Sequence, residues 1–282
     1  MRLKADPLAI FANDKSPLGL HVRTRWMAEC LALAADVKGC ITTILTGQSG
    51  DGSWRGSVPG TIQNLFSLWL LARRPDEGIN AALDWLLEVK HPPMRYACND
   101  GATYDNLFFR TTRSDRAGLR KPSGVPFTSG CSGFVKTGAA LFFAAQFGRA
   151  DDDRVWGAYR SLDRTAQVRH GRLCCGSCAN NILLAFAAHP HFGRSKGMAA
   201  AVAYLSHQQK PTGEWGRGVP LFPTFFIVSH LQSRNATSQF ESALRRIQRM
   251  QNRDGTWGRT QKALWTFLVL DSLERKQVDW EV

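Results

Sequence analysis

Three segments of the 282-residue chain repeat one spacing of Gln, Gly and Trp: Gln48, Asp51, Gly52 and Trp54; Gln209, Thr212, Gly213 and Trp215; Gln251, Asp254, Gly255 and Trp257. Each follows an amphipathic stretch of helical period and precedes a more continuously apolar one. Glycine supplies the turn conformation after a helix C-terminus, Asp or Thr bonds to nearby turn amides, and the Trp ring wedges between neighbouring hairpins. A Gln at the helix end is placed to cap the next hairpin. Recurrence of such a turn demands an array of helical hairpins, because no single hairpin buries both of its faces.

Inner helices, apolar almost all round, are predicted at about 60–73, 133–147, 175–188, 220–233 and 259–274. Outer helices with polar faces are predicted at about 25–46, 77–89, 152–168, 195–208 and 237–251. Their alternation makes two concentric rings. The expected fold is all-α, a single α/α toroid of five or six helical hairpins spanning residues 1–282. The stretch 91–130 breaks the pattern with Pro, Gly, Asp and Arg, and a long irregular segment inside a compact domain is more often functional than idle. It is expected to form a lid or pocket wall.

Composition narrows the partners. With 44 % apolar and 21 % charged residues, the chain is too apolar to be disordered. It carries no apolar run of about 18 residues and no cleavable leader, so it is expected in the cytoplasm, with no transmembrane segment and at most peripheral contact with a membrane. A formal net charge of +13 attracts anions, from nucleic acid to acidic lipid to a diphosphate. The basic residues are scattered rather than interleaved with aromatics, which argues against nucleic acid.

The three turns, with alternating inner and outer helices, resemble the QW repeats of the squalene cyclase and protein prenyltransferase superfamily, over most of the chain from about residue 35. The resemblance implies a central cavity, at the end where the inner helices begin, that holds an apolar isoprenoid. The superfamily's catalytic motifs are not matched. The nearest approach to the Asp-x-Asp-Asp acid of class II terpene cyclases is Asp151-Asp152-Asp153, at the start of a predicted outer helix, where acidic residues favour the helix N-terminus. The Asp, Cys and His zinc site of protein prenyltransferases finds no matching sequence here.

Seven cysteines without a secretory signal do not suggest a disulfide framework. Aligning Gly133 with Gly176, and Ala144-Ala145 with Ala187-Ala188, brings two adjacent inner helices into register and matches Cys131 to Cys174. Cys131 is therefore expected beside Cys174, Cys175 and Cys178. Thiols at a helix start ionise readily, and three or four of them suit tetrahedral zinc, with Cys98, His170, His189 or His191 as completing ligands. Three protein ligands and an open position make a Lewis acid, whereas a closed set of four is a staple. Plain packing of small side chains, or a redox or nucleophilic thiol, are the competing readings.

A cavity would draw its acids from the irregular segment, which offers Asp100, Tyr104 and Asp105 as proton donors or acceptors. Turn formation at Asn99-Asp100-Gly101 competes with that role. Lys136, a charge among apolar neighbours early in an inner helix, is a candidate grip for a diphosphate or carboxylate, with Arg110 and Arg113. Asn180 and Asn181 would present amides to a ligand, and Phe142, Phe143, Phe225 and Trp265 would line the cavity with ring faces suited to a carbocation. Two functions follow. One is an isoprenoid-handling enzyme, cyclase-like or transferase-like and zinc-assisted; the other is a non-catalytic toroid that binds a lipid or protein partner, with zinc as a staple.

Overall fold

The computed structural model describes residues 1–72, 74–88, 94–95 and 103–282, with the backbone alone at 94, 95 and 103. Its inner helices are α1 (Pro17–Trp26), α3 (Val58–Leu71), α6 (Ser132–Gln146), α8 (Gly176–Ala188), α10 (Leu221–Ser229) and α12 (Lys262–Arg275). Outside them lie α2 (Ala34–Thr46), α4 (Glu77–Leu87), α7 (Asp153–Val168), α9 (Lys196–Gln208) and α11 (Arg234–Met250). A short α5 (Arg113–Arg120) and the two-residue strands β1 (Met94–Arg95) and β2 (Thr103–Tyr104), paired antiparallel, come between the α4 and α6 hairpins. Each inner helix packs on the next in chain order and α12 packs on α1, so the inner ring closes.

Local chemistry sets the helix starts. Ser57, Asp76, Ser195 and Ser233 each accept a backbone N–H in the first turn of α3, α4, α9 and α11. Inner helices are buried nearly all round; every residue of α6 from Gly133 to Ala144 is inside. The α6–α8 contact is close because Gly138 lies against the Asn181 carbonyl, where an added Cβ would stand 2.6 Å from the oxygen.

The predicted outer helix 25–46 is two elements. Ser16 caps α1, Pro17 occupies its first turn, and Ala28 at φ 55° interrupts the chain, so that an inner helix precedes the outer α2. The segment predicted to be irregular contains α5, started by a capping box in which Thr112 accepts from the Asp115 N–H and Asp115 accepts from the Thr112 N–H.

Each Gln–Gly–Trp turn leads from an outer helix to the following inner one, and its Gln side chain bonds to the next outer element. The Gln48 amide donates to Gly52 O and to Gly78 O at the start of α4, and the Gln209 amide to Gly213 O and to Gln239 O in α11. Gln251 donates to Gly255 O and Ala5 O and accepts the Lys4 N–H at 2.6 Å, which fastens the N-terminal segment to the end of α11. The glycines sit at positive φ, with no room for a Cβ against Ala81 O, Ser242 O and Asp6 O. Gln167, His170, Gly171 and Leu173 form a fourth turn of the same spacing, with Leu for Trp, and Gly171 meets Ala200 O in the same way.

Candidate metal centre

Cys131 is the N-cap of α6, Cys175 is the N-cap of α8, and Cys178 lies in the first turn of α8. The sulfurs of Cys131, Cys174 and Cys178 lie within 4.8 Å of one another. Sulfurs sharing a tetrahedral zinc at about 2.3 Å stand roughly 4 Å apart, so this spacing fits a common cation. Cys178 is fully buried, and its Sγ accepts the Cys131 N–H at 3.1 Å, a bond that holds a thiolate in place. Gly130 is required beside it, since a Cβ there would meet the same sulfur at 2.8 Å.

Cys175 is exposed and stands outside the trio. Hydrogen bonds from Cys174 and Cys178, then the N–H groups of Cys178 and Ser177, hold its thiol below the ordinary range, while Cys174 and Cys175 push the buried Cys178 thiol up. Thiols this close share protons and do not all ionise alone, whereas a bound cation favours every thiolate at once. Of the proposed completing ligands, His189 and His191 follow the C-terminus of α8, whose 13 residues put them about 20 Å from the cysteines. The His189 ring is engaged there with Ala150 O and the N–H groups of His191 and Phe192. His170 is an exposed turn residue at φ 51° outside the trio. Cys98 lies outside the described residues.

Beside the cysteines, residues 121–130 cross the end of the ring where the inner helices begin. Gln63 of α3 donates to Ser123 O, Gly124 donates to Gln261 at the start of α12, and the Thr128 hydroxyl donates to Ser177 O of α8. Asn181 accepts the Thr128 N–H and returns its own N–H to the Thr128 carbonyl. Val125, Pro126 and Phe127 are buried, with Phe127 edge to face against Phe142 and Phe143. This segment is a plug rather than a free wall, and Asn181 is spent on holding it.

Other candidate side chains are dispersed. Phe142 meets Trp69 of α3, which also meets Phe267 of α12, so these rings pack across the interior. Phe225 stacks on Phe240 of the outer helix α11 and so faces outward, contrary to a role as cavity lining. Trp265 stacks on Phe222 and is half-buried. Lys136 is buried and donates to Arg110 O; desolvation brings its ammonium down to about 8. Its partner is thus a backbone carbonyl, while the side chains of Arg110 and Arg113 are exposed.

Tyr104 is buried against Phe134 and Phe109, and Asp105 opens on a groove along the outer helix α7 beside Arg160 and Arg164. Neither is gathered with the cysteines. Asp100 lies outside the described residues. In the Asp151–Asp153 run, Asp152 is the N-cap of α7, and Arg154 and Arg149 hold its carboxyl far below the usual carboxylate range. It is a structural acid.

Residues with no sequence signal of their own complete the surroundings. A cavity of 330 Å³ between α8 and α9 borders Cys174 and Cys175 and is lined also by Arg172, Tyr204, Leu205 and Arg217.

No protein-family model matches the sequence, and no curated protein is similar to it. Among solved structures, the chain is similar to the type II terpene cyclase MstE from Scytonema, determined in complex with its substrate geranylgeranyl dihydroxybenzoate, with a TM-score of 0.56, 13 % identity, and coverage of 93 % of this chain and 86 % of that one. The fold is terpene cyclase-like. At this identity the likeness concerns the fold alone. Among the described residues, no helix is long and apolar enough to cross a membrane.

Proposed function

We propose that the chain binds zinc through Cys131, Cys174 and Cys178 and acts on an isoprenoid by metal-assisted, transferase-like chemistry rather than by proton-initiated cyclisation. The observation that carries this reading is the convergence of three thiols from two adjacent inner helices at the end of a terpene cyclase-like ring. The donor set is soft and the backbone N–H on Cys178 Sγ is already in place, which suits zinc. Zinc supplies Lewis acidity, and the cavity beside Cys174 gives a substrate a side approach. The acids argue against the cyclase branch: Asp152 is tied up in ion pairs, and Asp105 lies along α7.

Metal analysis of the purified chain tests the centre. About one zinc per chain, lost in Cys131→Ser and Cys178→Ser but kept in Cys30→Ser, is expected; a metal-free chain with freely reactive thiols would refute it. Thermal protection by isoprenyl diphosphates, present in the native chain and absent in Cys178→Ser, would support the substrate class, and no protection would count against it.

A second reading, a non-catalytic toroid with zinc as a staple, is favoured by the clamp between Asn181 and Thr128, since Cys131 directly follows the plug it would anchor. It predicts zinc binding with no response to isoprenyl diphosphates.

A further inference from the structure

The fourth cysteine of the cluster differs from the other three in position. Cys175 is exposed at the N-cap of α8 and borders the 330 Å³ cavity, while Cys178, three residues on, is fully buried in the trio. The two are the ends of a Cys-Gly-Ser-Cys sequence at the start of one helix. Residues three apart across a helix start have Cα atoms roughly 5–6 Å from one another, inside the Cα span that a disulfide bridges. Adjacent residues are less suited, because Cys174 and Cys175 have Cα atoms only about 3.8 Å apart, short of that span. The accessible sulfur of the cluster therefore has one well-placed partner, and that partner is a candidate metal ligand.

We propose that Cys175 is the point at which a hydroperoxide oxidises this centre, and that Cys178 resolves the product as a disulfide and so ejects the metal. The inference rests on the metal centre described above. The Cys175 sulfur attacks the O–O bond, which breaks; the sulfur becomes a sulfenic acid and the other oxygen leaves as water or an alcohol. The Cys178 sulfur then attacks the Cys175 sulfur, the S–S bond forms, the S–O bond breaks, and the hydroxyl leaves as water with one proton. Two thiols have lost two electrons to the peroxide. The cation is left with two of its three thiolates.

The test uses the full chain loaded with zinc, treated with hydrogen peroxide, with released metal read by a chromophoric chelator and disulfides mapped by mass spectrometry. Zinc release should accompany a Cys175–Cys178 disulfide, and Cys175→Ser should keep its zinc and release it roughly ten-fold more slowly or less. Release at the native rate from Cys175→Ser, a disulfide mapped to Cys131 and Cys174 instead, or failure of Cys175→Ser to bind zinc would overturn the proposal. The disulfide map on the native chain decides the matter if the variant misfolds. A chain that never binds zinc yet forms the Cys175–Cys178 disulfide would sink the metal centre while supporting the oxidation site.

Discussion

Asn181 and Thr128 pair as two strands of a sheet would: the Asn181 Oδ1 accepts the Thr128 N–H at 2.8 Å and its Nδ2 donates to the Thr128 carbonyl at 3.0 Å. Both atoms of the Thr128 backbone are buried, and this amide satisfies them. Asn181→Ala leaves a buried donor and acceptor unpaired, and the expected cost is about 3 kcal/mol. Chemical denaturation would measure it. Trypsin should also cut faster after Arg120, beside the loosened plug; unchanged stability and cleavage would mean the segment is held by its apolar residues alone.

Gln251 closes the circle of outer elements by accepting the Lys4 N–H and donating to Ala5 O, whereas Gln209 donates to Gln239 O between two outer helices in the chain's second half. Gln251→Ala should lose about 2 kcal/mol and release the N-terminal segment. Hydrogen exchange at residues 3–11 should rise in Gln251→Ala and stay native in Gln209→Ala. Equal exchange in both variants would contradict a local closure.

Two glycines at positive φ separate backbone strain from crowding. At Gly148 an added Cβ meets nothing within 4 Å, while at Gly171 it falls 2.2 Å from Ala200 O. Gly148→Ala should cost about 1 kcal/mol, the strain of the left-handed region alone. Gly171→Ala should cost more than about 3 kcal/mol or abolish folding, because a helix backbone must move. Melting temperatures of the two variants would show the gap, and similar values would remove the packing argument for the fourth turn.

His230 lies at the end of α10 with its Nδ1 against Phe226 O, and burial, then the Arg275 charge, pulls its pKa to about 4. The unfolded chain takes up this proton near pH 6.5 and the folded chain only near pH 4, so the residue destabilises the fold as pH falls through that window. The loss is at most about 3 kcal/mol at pH 4 and absent above pH 7. His230→Gln should flatten this part of the stability profile between pH 7 and 4. A native profile with the same slope as the variant would rule the histidine out as its source.

Much of the architecture was legible in the residues themselves. Period-3.6 patterning marked most helices, and the Gln–Gly–Trp spacing marked where outer helices give way to inner ones, because both are local properties of backbone and apolar stripe. The inner helix α1 was not legible: its apolar signal is short, and only contact with α3 and α12 identifies it as part of the ring. The fourth turn was hidden by Leu173 in place of Trp, although the packing of Gly171 against Ala200 is that of its relatives.

The cysteine group was readable for a related reason. Repeats in register carry Cys131 and Cys174 to equivalent helix starts, so a one-dimensional offset became a distance. The fates of Asn181, Phe225, Asp105 and Lys136 were not readable, since each was assigned to an imagined cavity from residue type alone. Their partners Thr128, Phe240, Ser161 and Arg110 lie 15 to 56 positions away in sequence. Sequence determined the repeating unit and its register, because those depend on local patterning that recurs along the chain; the tertiary structure alone decided what fills the mouth of the ring and which of the four thiols stands apart from the other three, because those depend on where distant segments cross.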